Sequence, residues 1–105
     1  MAFKIIWSEF AEIQLDEIYK FYENKAGSNI AKKHLKGIIN ETNKLIHAPQ
    51  IGQEEELLKY RKILYRYLIF KHYKVIYSLD LENGLIKIAD VFDTRQNPPK
   101  IQRSK

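Results

Sequence analysis

The chain has 105 residues, of which 45% are hydrophobic and 30% charged, and it contains no cysteine. This length is typical of one compact domain with a modest core, so we expect residues 1–105 to form a single domain. The lack of cysteine excludes disulfides, thiol catalysis and thiolate metal sites. No segment approaches the roughly 18 consecutive apolar residues of a membrane span, and the opening does not resemble a signal peptide. We therefore expect a cytoplasmic protein that has no membrane partner.

Basic charge is concentrated in the second half of the chain. Residues 57–105 carry 11 lysines and arginines against 4 acidic residues, whereas residues 1–56 carry 7 against 9. This asymmetry points to an anionic partner, either nucleic acid or an acidic protein segment. The alternative is that a basic surface simply keeps a small protein soluble.

The N-terminal half predicts a strand followed by two helices. Phe3–Trp7 is rich in β-branched and aromatic residues, as strands are. Ser8 and Ser28 are each placed to cap a helix, in which apolar residues recur at spacings of three and four. These positions are Ala11, Leu15, Ile18 and Tyr22 in the first helix, and Ala31, Leu35, Ile38, Thr42 and Leu45 in the second. Since only residues 26–28 separate the helices, they are expected to pack as an antiparallel hairpin.

The C-terminal half predicts a meander of three strands. Residues 47–59 are interpreted as a loop in which Glu54–Glu56 are solvated. The strand-like runs that follow are Tyr65–Phe70, Tyr73–Leu81 and Leu85–Phe92. Lys71-His72 and Asn83-Gly84 are short enough to be tight turns between them. The predicted fold is α+β in the order β-α-α-β-β-β, with a helical hairpin packed on a small curved antiparallel sheet.

Six cations and no acidic residue lie between residues 59 and 74, and four tyrosines are interleaved with them. The cations are Lys59, Arg61, Lys62, Arg66, Lys71 and Lys74, and the tyrosines are Tyr60, Tyr65, Tyr67 and Tyr73. Proteins hold phosphates and stack bases with such residues, although tyrosines are also good strand formers. The segment is therefore a candidate binding surface.

Arg95 follows the last predicted strand, where a rigid sheet would present it to a ligand or partner. Asp90 and Asp93 precede it closely, so a local ion pair is the alternative role. His34, His47 and His72 share no spacing typical of metal ligands, so no metal site is expected. The sequence contains no phosphate loop, nucleophile elbow or paired-carboxylate spacing, and we expect no cofactor.

The order of these elements, together with YRYLIFKHYKVIYSLD and LIKIADVFDTRQNP, resembles the RelE/ParE superfamily of toxins from bacterial type II toxin–antitoxin modules. The likeness spans nearly the whole chain. Members carry an arginine in the first meander strand, two tyrosines in the second and an arginine after the last. Arg66, Tyr73, Tyr77 and Arg95 occupy these places here.

The resemblance implies one of two activities. RelE-like members are mRNA interferases that cut mRNA in the ribosomal A site without a metal. In that case Arg66 and Arg95 would stabilise the phosphate, and Lys71, His72 or Tyr73 would transfer protons. ParE-like members instead bind DNA gyrase and poison it, and the toxin makes or breaks no bond.

The C-terminal segment favours the second activity. RelE-like enzymes usually carry a further catalytic tyrosine or histidine after the last strand, and Gln96–Lys105 contains neither. The RQNP ending is similar to the ParE-like plasmid stabilisation branch, so growth inhibition through gyrase is the favoured hypothesis and no catalytic residue is assigned. A non-toxic binding module is the third alternative.

Either toxic activity implies a cognate antitoxin, whose acidic and partly disordered segment would fold on the basic half of the chain. The residues expected to bind the partner are Lys59, Arg61, Lys62, Arg66, Lys74 and Arg95.

Overall fold

The computed structural model describes residues 3–55 and 63–95 of the chain. β1 spans Lys4–Trp7, α1 Glu9–Ala26, α2 Ser28–Asn43, β2 Gln53–Glu54, β3 Tyr65–Phe70, β4 Tyr73–Asp80 and β5 Leu85–Asp93, and a 3-10 turn at Lys44–Ile46 follows α2. The α+β class and the β-α-α-β-β-β order are thus confirmed. The two-residue strand β2 is an addition, within the segment predicted to be a loop.

The strands form one sheet in the order β1-β5-β4-β3-β2. Strands β2 to β5 pair antiparallel with their neighbours, and β3 to β5 form the predicted meander. However, β1 pairs parallel with β5, with Lys4 opposite Leu85 and Trp7 opposite Ile88. The sheet is therefore mixed, because β1 and β5 are distant in the chain and no tight turn forces them to run in opposite directions.

The two helices are joined by one residue. The Ser8 hydroxyl accepts a 3.0 Å hydrogen bond from the Ala11 N–H, so Ser8 caps α1 as predicted. Ser28 was expected to cap α2, but it is already the first helical residue and Gly27 is the cap. Gly27 has φ +92°, which only glycine adopts easily, and its carbonyl accepts the first hydrogen bond of α2. Within the described ranges, no helix is long and apolar enough to cross a membrane.

The main core lies between the helical hairpin and one face of the sheet. Its buried members are Ala11, Ile38 and Leu45 from the helical segment and Tyr73, Val75, Tyr77, Ile86, Ile88 and Val91 from the sheet. A second cluster of Tyr65, Ile76 and Phe92 is buried on the opposite face. β4 therefore has apolar side chains on both faces, which explains why it occupies the centre of the sheet.

Candidate functional site

Among the described residues, the cations predicted to bind a partner do not share one surface. Lys59, Arg61 and Lys62 lie outside the described residues. Arg66 pairs across the sheet with Tyr77, on the face that the helices cover. Lys74 pairs with Phe92 on the opposite face, and Arg95 lies beyond the end of β5. Each of these three cations therefore has different surroundings.

Arg66 fastens the loop that precedes β2. Its guanidinium donates to the Gly52 carbonyl at 2.9 Å and to the Gln50 carbonyl at 3.4 Å. The Tyr77 hydroxyl accepts from the Gly52 N–H and donates to the Pro49 carbonyl, both at 2.9 Å. These bonds hold residues 49–52 against the sheet, so the guanidinium has a structural function, and its role in partner binding stays a prediction.

Lys74 forms an ion pair with Glu55, whose side chain is only 3% exposed. Its ammonium also lies 4.1 Å from the centre of the Tyr67 ring. Glu55 was expected to be solvated, and this prediction is wrong. The Glu55 N–H donates to the Tyr65 carbonyl at 2.8 Å, which continues the pairing of β2 with β3 by one residue. The Glu55 carboxylate therefore lies on the sheet. The charge of Lys74 is therefore balanced inside the protein.

Arg95 forms a two-pronged ion pair with Asp93. Its Nε donates to Oδ1 at 3.0 Å and its Nη2 to Oδ2 at 2.6 Å, while the Arg95 backbone N–H donates to Oδ1 at 2.8 Å. The local ion pair considered from the sequence is thus present with Asp93, whereas Asp90 is buried within β5. The Arg95 side chain remains 64% exposed, so Asp93 orients the guanidinium without covering it.

A cluster of histidines and tyrosines lies beside this ion pair, at the end of the sheet that carries the β3–β4 turn. The Tyr22 and His34 rings are stacked, with centroids 4.0 Å apart. The Tyr22 hydroxyl is 3.0 Å from His72 Nε2, and the Tyr73 hydroxyl is 3.4 Å from His34 Nδ1. His72 Nε2 lies 3.8 Å from Asp93 Oδ2. The turn-end cluster, as we call it, consists of these residues together with Lys71 of the same turn: Tyr22, His34, Lys71, His72, Tyr73, Asp93 and Arg95.

Within the turn-end cluster, the pKa shifts favour the neutral forms of His34 and Tyr73 and the charged forms of Asp93 and Arg95. Burial, followed by the positive charge of Lys71 and by His72, lowers the pKa of His34. Burial raises the pKa of Tyr73, so its hydroxyl keeps its proton at neutral pH. The hydrogen bond with Arg95 lowers the pKa of Asp93. The cluster can therefore donate hydrogen bonds from its hydroxyls and from Arg95, and His34 offers a neutral imidazole.

Protonation of His34 is expected to make the protein less stable in acid. Because its pKa is lower in the folded protein, the unfolded chain takes up the proton first. The contribution of His34 is fully present above the ordinary histidine value of 6.5, and it is lost as the pH falls below that value. Urea unfolding between pH 7.5 and about 5 should show a shallower pH dependence for His34→Gln than for the wild type. The exposed His47→Gln is the control, and an unchanged slope for His34→Gln would contradict the assignment.

Sequence reasoning located part of this cluster and missed the rest. Lys71, His72, Tyr73 and Arg95 were candidates, and the structure brings these four together at one end of the sheet. The fifth, Arg66, lies elsewhere: it pairs with Tyr77, four residues along β4 from Tyr73, which is about 13 Å along the strand. His34 and Tyr22 were missed as site residues, because helical periodicity predicts which face is buried but not which distant ring a side chain meets.

The family described as "ParE toxin of type II toxin-antitoxin system, parDE" matches residues 5–98. Among solved structures, the chain is similar to the chromosomal ParDE toxin–antitoxin system from P. aeruginosa, with 18% identity and a TM-score of 0.72 over 88% of this chain and 96% of that chain. It is also similar to a mutant of the E. coli toxin RelE in the free state, with 19% identity and a TM-score of 0.48 over 89% of this chain and 84% of that chain. No curated protein sequence shows significant similarity to it.

The family match extends from β1 to beyond β5 and so covers all the elements that build the turn-end cluster. The P. aeruginosa structure shares the fold over almost its entire length. Both findings agree with the resemblance carried by the meander and by the segment around Arg95. The chain belongs to the ParE family of toxins of type II toxin–antitoxin systems.

Proposed function

We propose that this toxin inhibits growth in the cytoplasm by binding DNA gyrase, and that a cognate antitoxin with an acidic segment neutralises it. One observation carries the choice of target. The two arginines that a ribonuclease of this fold would use lie far apart, and each is already bonded, Arg66 to loop carbonyls and Arg95 to Asp93. Metal-free cleavage of RNA needs cations that converge on the charge that develops at the phosphorus. Arg66 and Arg95 do not converge in this way.

The ribonuclease is the second candidate, because the turn-end cluster brings Lys71, His72, Tyr73 and Arg95 together. Proton transfer needs a group that can take the proton of the ribose 2′-OH. The cluster contains two imidazoles, those of His34 and His72, whose ring centroids are 6.3 Å apart. However, the Tyr73 residue is only 1% exposed, so its hydroxyl serves contacts inside the protein.

Inducible expression in a bacterial host separates these functions. Incorporation of a labelled amino acid and a DNA-damage reporter are followed together after induction. Gyrase poisoning predicts reporter induction and filamentous cells while translation continues. An early fall in protein synthesis with a silent reporter would contradict our proposal and support mRNA cleavage. Normal growth without the antitoxin gene would contradict both and indicate a non-toxic binding module.

A further inference from the structure

Two of the four candidate cations that the structure describes remain open to a ligand. Lys71 is exposed in the β3–β4 turn, at a left-handed φ of +54°, and its ammonium is 5.6 Å from the centre of the Phe70 ring. Arg95 is the other. Lys71 precedes His72 in the chain, and His72 Nε2 lies 3.0 Å from the Tyr22 hydroxyl and 3.8 Å from Oδ2 of Asp93, the carboxylate that pairs with Arg95. Both cations therefore lie beside His72, which contacts the stacked pair of Tyr22 and His34.

The ion pair with Asp93 orients the Arg95 guanidinium before any ligand binds. A guanidinium has five N–H groups, and Asp93 takes one from Nε and one from Nη2. The exposed guanidinium keeps further N–H groups that can bind an anion. A guanidinium that is already oriented loses less side-chain entropy when it binds. Lys71, Arg95 and Asp93 together supply two positive charges against one negative charge.

The surface next to these cations contains an exposed aromatic ring. Phe21 is 51% exposed and packs edge-on against Tyr22, with centroids 5.1 Å apart. The Lys25 ammonium lies 5.1 Å from the centre of the Phe21 ring. An open aromatic ring near cations suits a sugar or base beside a phosphate better than the carboxylate of an acidic peptide.

We propose that the turn-end cluster binds a phosphodiester of the DNA on which gyrase acts, with Arg95 and Lys71 as contacts and Asp93 as the positioning residue. This inference rests on the proposed gyrase target and names a DNA contact within that encounter. A phosphodiester in its ground state carries a single charge, so one oriented guanidinium and one ammonium suffice. The additional charge of a cleavage transition state would need more cations than the described cluster supplies.

The test measures how the purified full chain binds a fluorescently labelled DNA duplex at low salt. Arg95→Gln and Lys71→Gln should each weaken binding about fivefold or more and reduce the salt dependence by about one counterion. Lys44→Gln removes the same charge from a side chain that is 65% exposed, about 15 Å along the helix from His34, and should change binding less than about twofold. An equal loss in Lys44→Gln would mean diffuse charge attraction and would overturn the site.

Asp93→Asn distinguishes positioning from simple charge. The substitution makes the chain more basic, so general attraction to DNA predicts tighter binding. If Asp93 orients Arg95, binding should instead weaken, about threefold or more. Tighter or unchanged binding in a folded Asp93→Asn variant would overturn the positioning role.

Further measurements identify the class of ligand and distinguish the proposed DNA contact from the proposed gyrase target. Inorganic phosphate and single-stranded DNA should compete with the duplex at the same residues, whereas cleavage of an added RNA would overturn the ligand class. Gyrase poisoning is measured with the same proteins. If wild type and Arg95→Gln poison gyrase equally, the DNA contact is wrong and the gyrase target stands. If wild type binds DNA through Arg95 but leaves gyrase unaffected, the site stands and the proposed target is wrong.

Discussion

Lys74→Ala is expected to lower the free energy of unfolding by about 3 kcal/mol, a loss far larger than exposed lysines produce. The substitution removes the ammonium that pairs with the buried Glu55 carboxylate and also removes the contact with the Tyr67 ring. Urea unfolding of purified variants measures the effect. A partner-binding lysine on the surface would change unfolding by less than about 0.5 kcal/mol.

Two further variants test whether the loss comes from the buried ion pair. Lys87 is 54% exposed, and its ammonium lies 3.7 Å from Asp80, so Lys87→Ala should cost less than about 1 kcal/mol. The double variant Lys74→Met, Glu55→Leu removes both charges and should recover most of the lost stability. If Lys74→Ala and Lys87→Ala are equally stable, the Glu55 pair is not a buried structural pair, and Lys74 returns to the candidates for binding.

Gly52→Ala should destabilise the protein by about 2 kcal/mol and release Arg66 from the loop. An added β-carbon would collide with the Tyr77 hydroxyl and would lie 2.7 Å from the Tyr67 carbonyl oxygen. That oxygen belongs to β3, so the loop must move instead. The movement breaks the bonds from Gly52 to Tyr77 and from Arg66 to Gly52.

The control is Gln50→Ala, an exposed side chain in the same loop, which should change stability by less than about 0.5 kcal/mol. Tyr77→Phe keeps the ring but deletes the hydroxyl that holds the loop, and it should lower stability by about 1–3 kcal/mol. If Gly52→Ala is as stable as Gln50→Ala, the loop is not fixed as the contacts indicate, and Arg66 would be free to bind a partner.

The fold could be predicted because its signals are local. Helical spacing identified both helices, the Ser8 cap defined where α1 begins, and Lys71-His72 and Asn83-Gly84 marked the turns of the meander. The parallel pairing of β1 with β5 could not be predicted in the same way. It joins strands at opposite ends of the chain, and the sequence of neither strand indicates whether its neighbour runs parallel or antiparallel.

The candidate site was predictable only where neighbours in sequence meet. The Asp93–Arg95 ion pair spans two residues and was anticipated. The contact of Tyr22 with His72 spans 50 residues, whereas the helical spacing predicts only that Tyr22 lies on the apolar face of its helix. Glu55 belongs to an acidic run that was interpreted as solvated, and its burial depends on one further bond between β2 and β3.

The proposed target of this ParE-family toxin is gyrase and not mRNA. The most direct measurement adds the purified full chain to gyrase and supercoiled plasmid, and then denatures the protein so that any trapped break appears as linear DNA. If gyrase is the target, linear DNA should accumulate with toxin concentration, while mRNA on translating ribosomes stays intact. No linear DNA, together with mRNA cut at the ribosomal A site, would contradict the account and would make the turn-end cluster a ribonuclease active site.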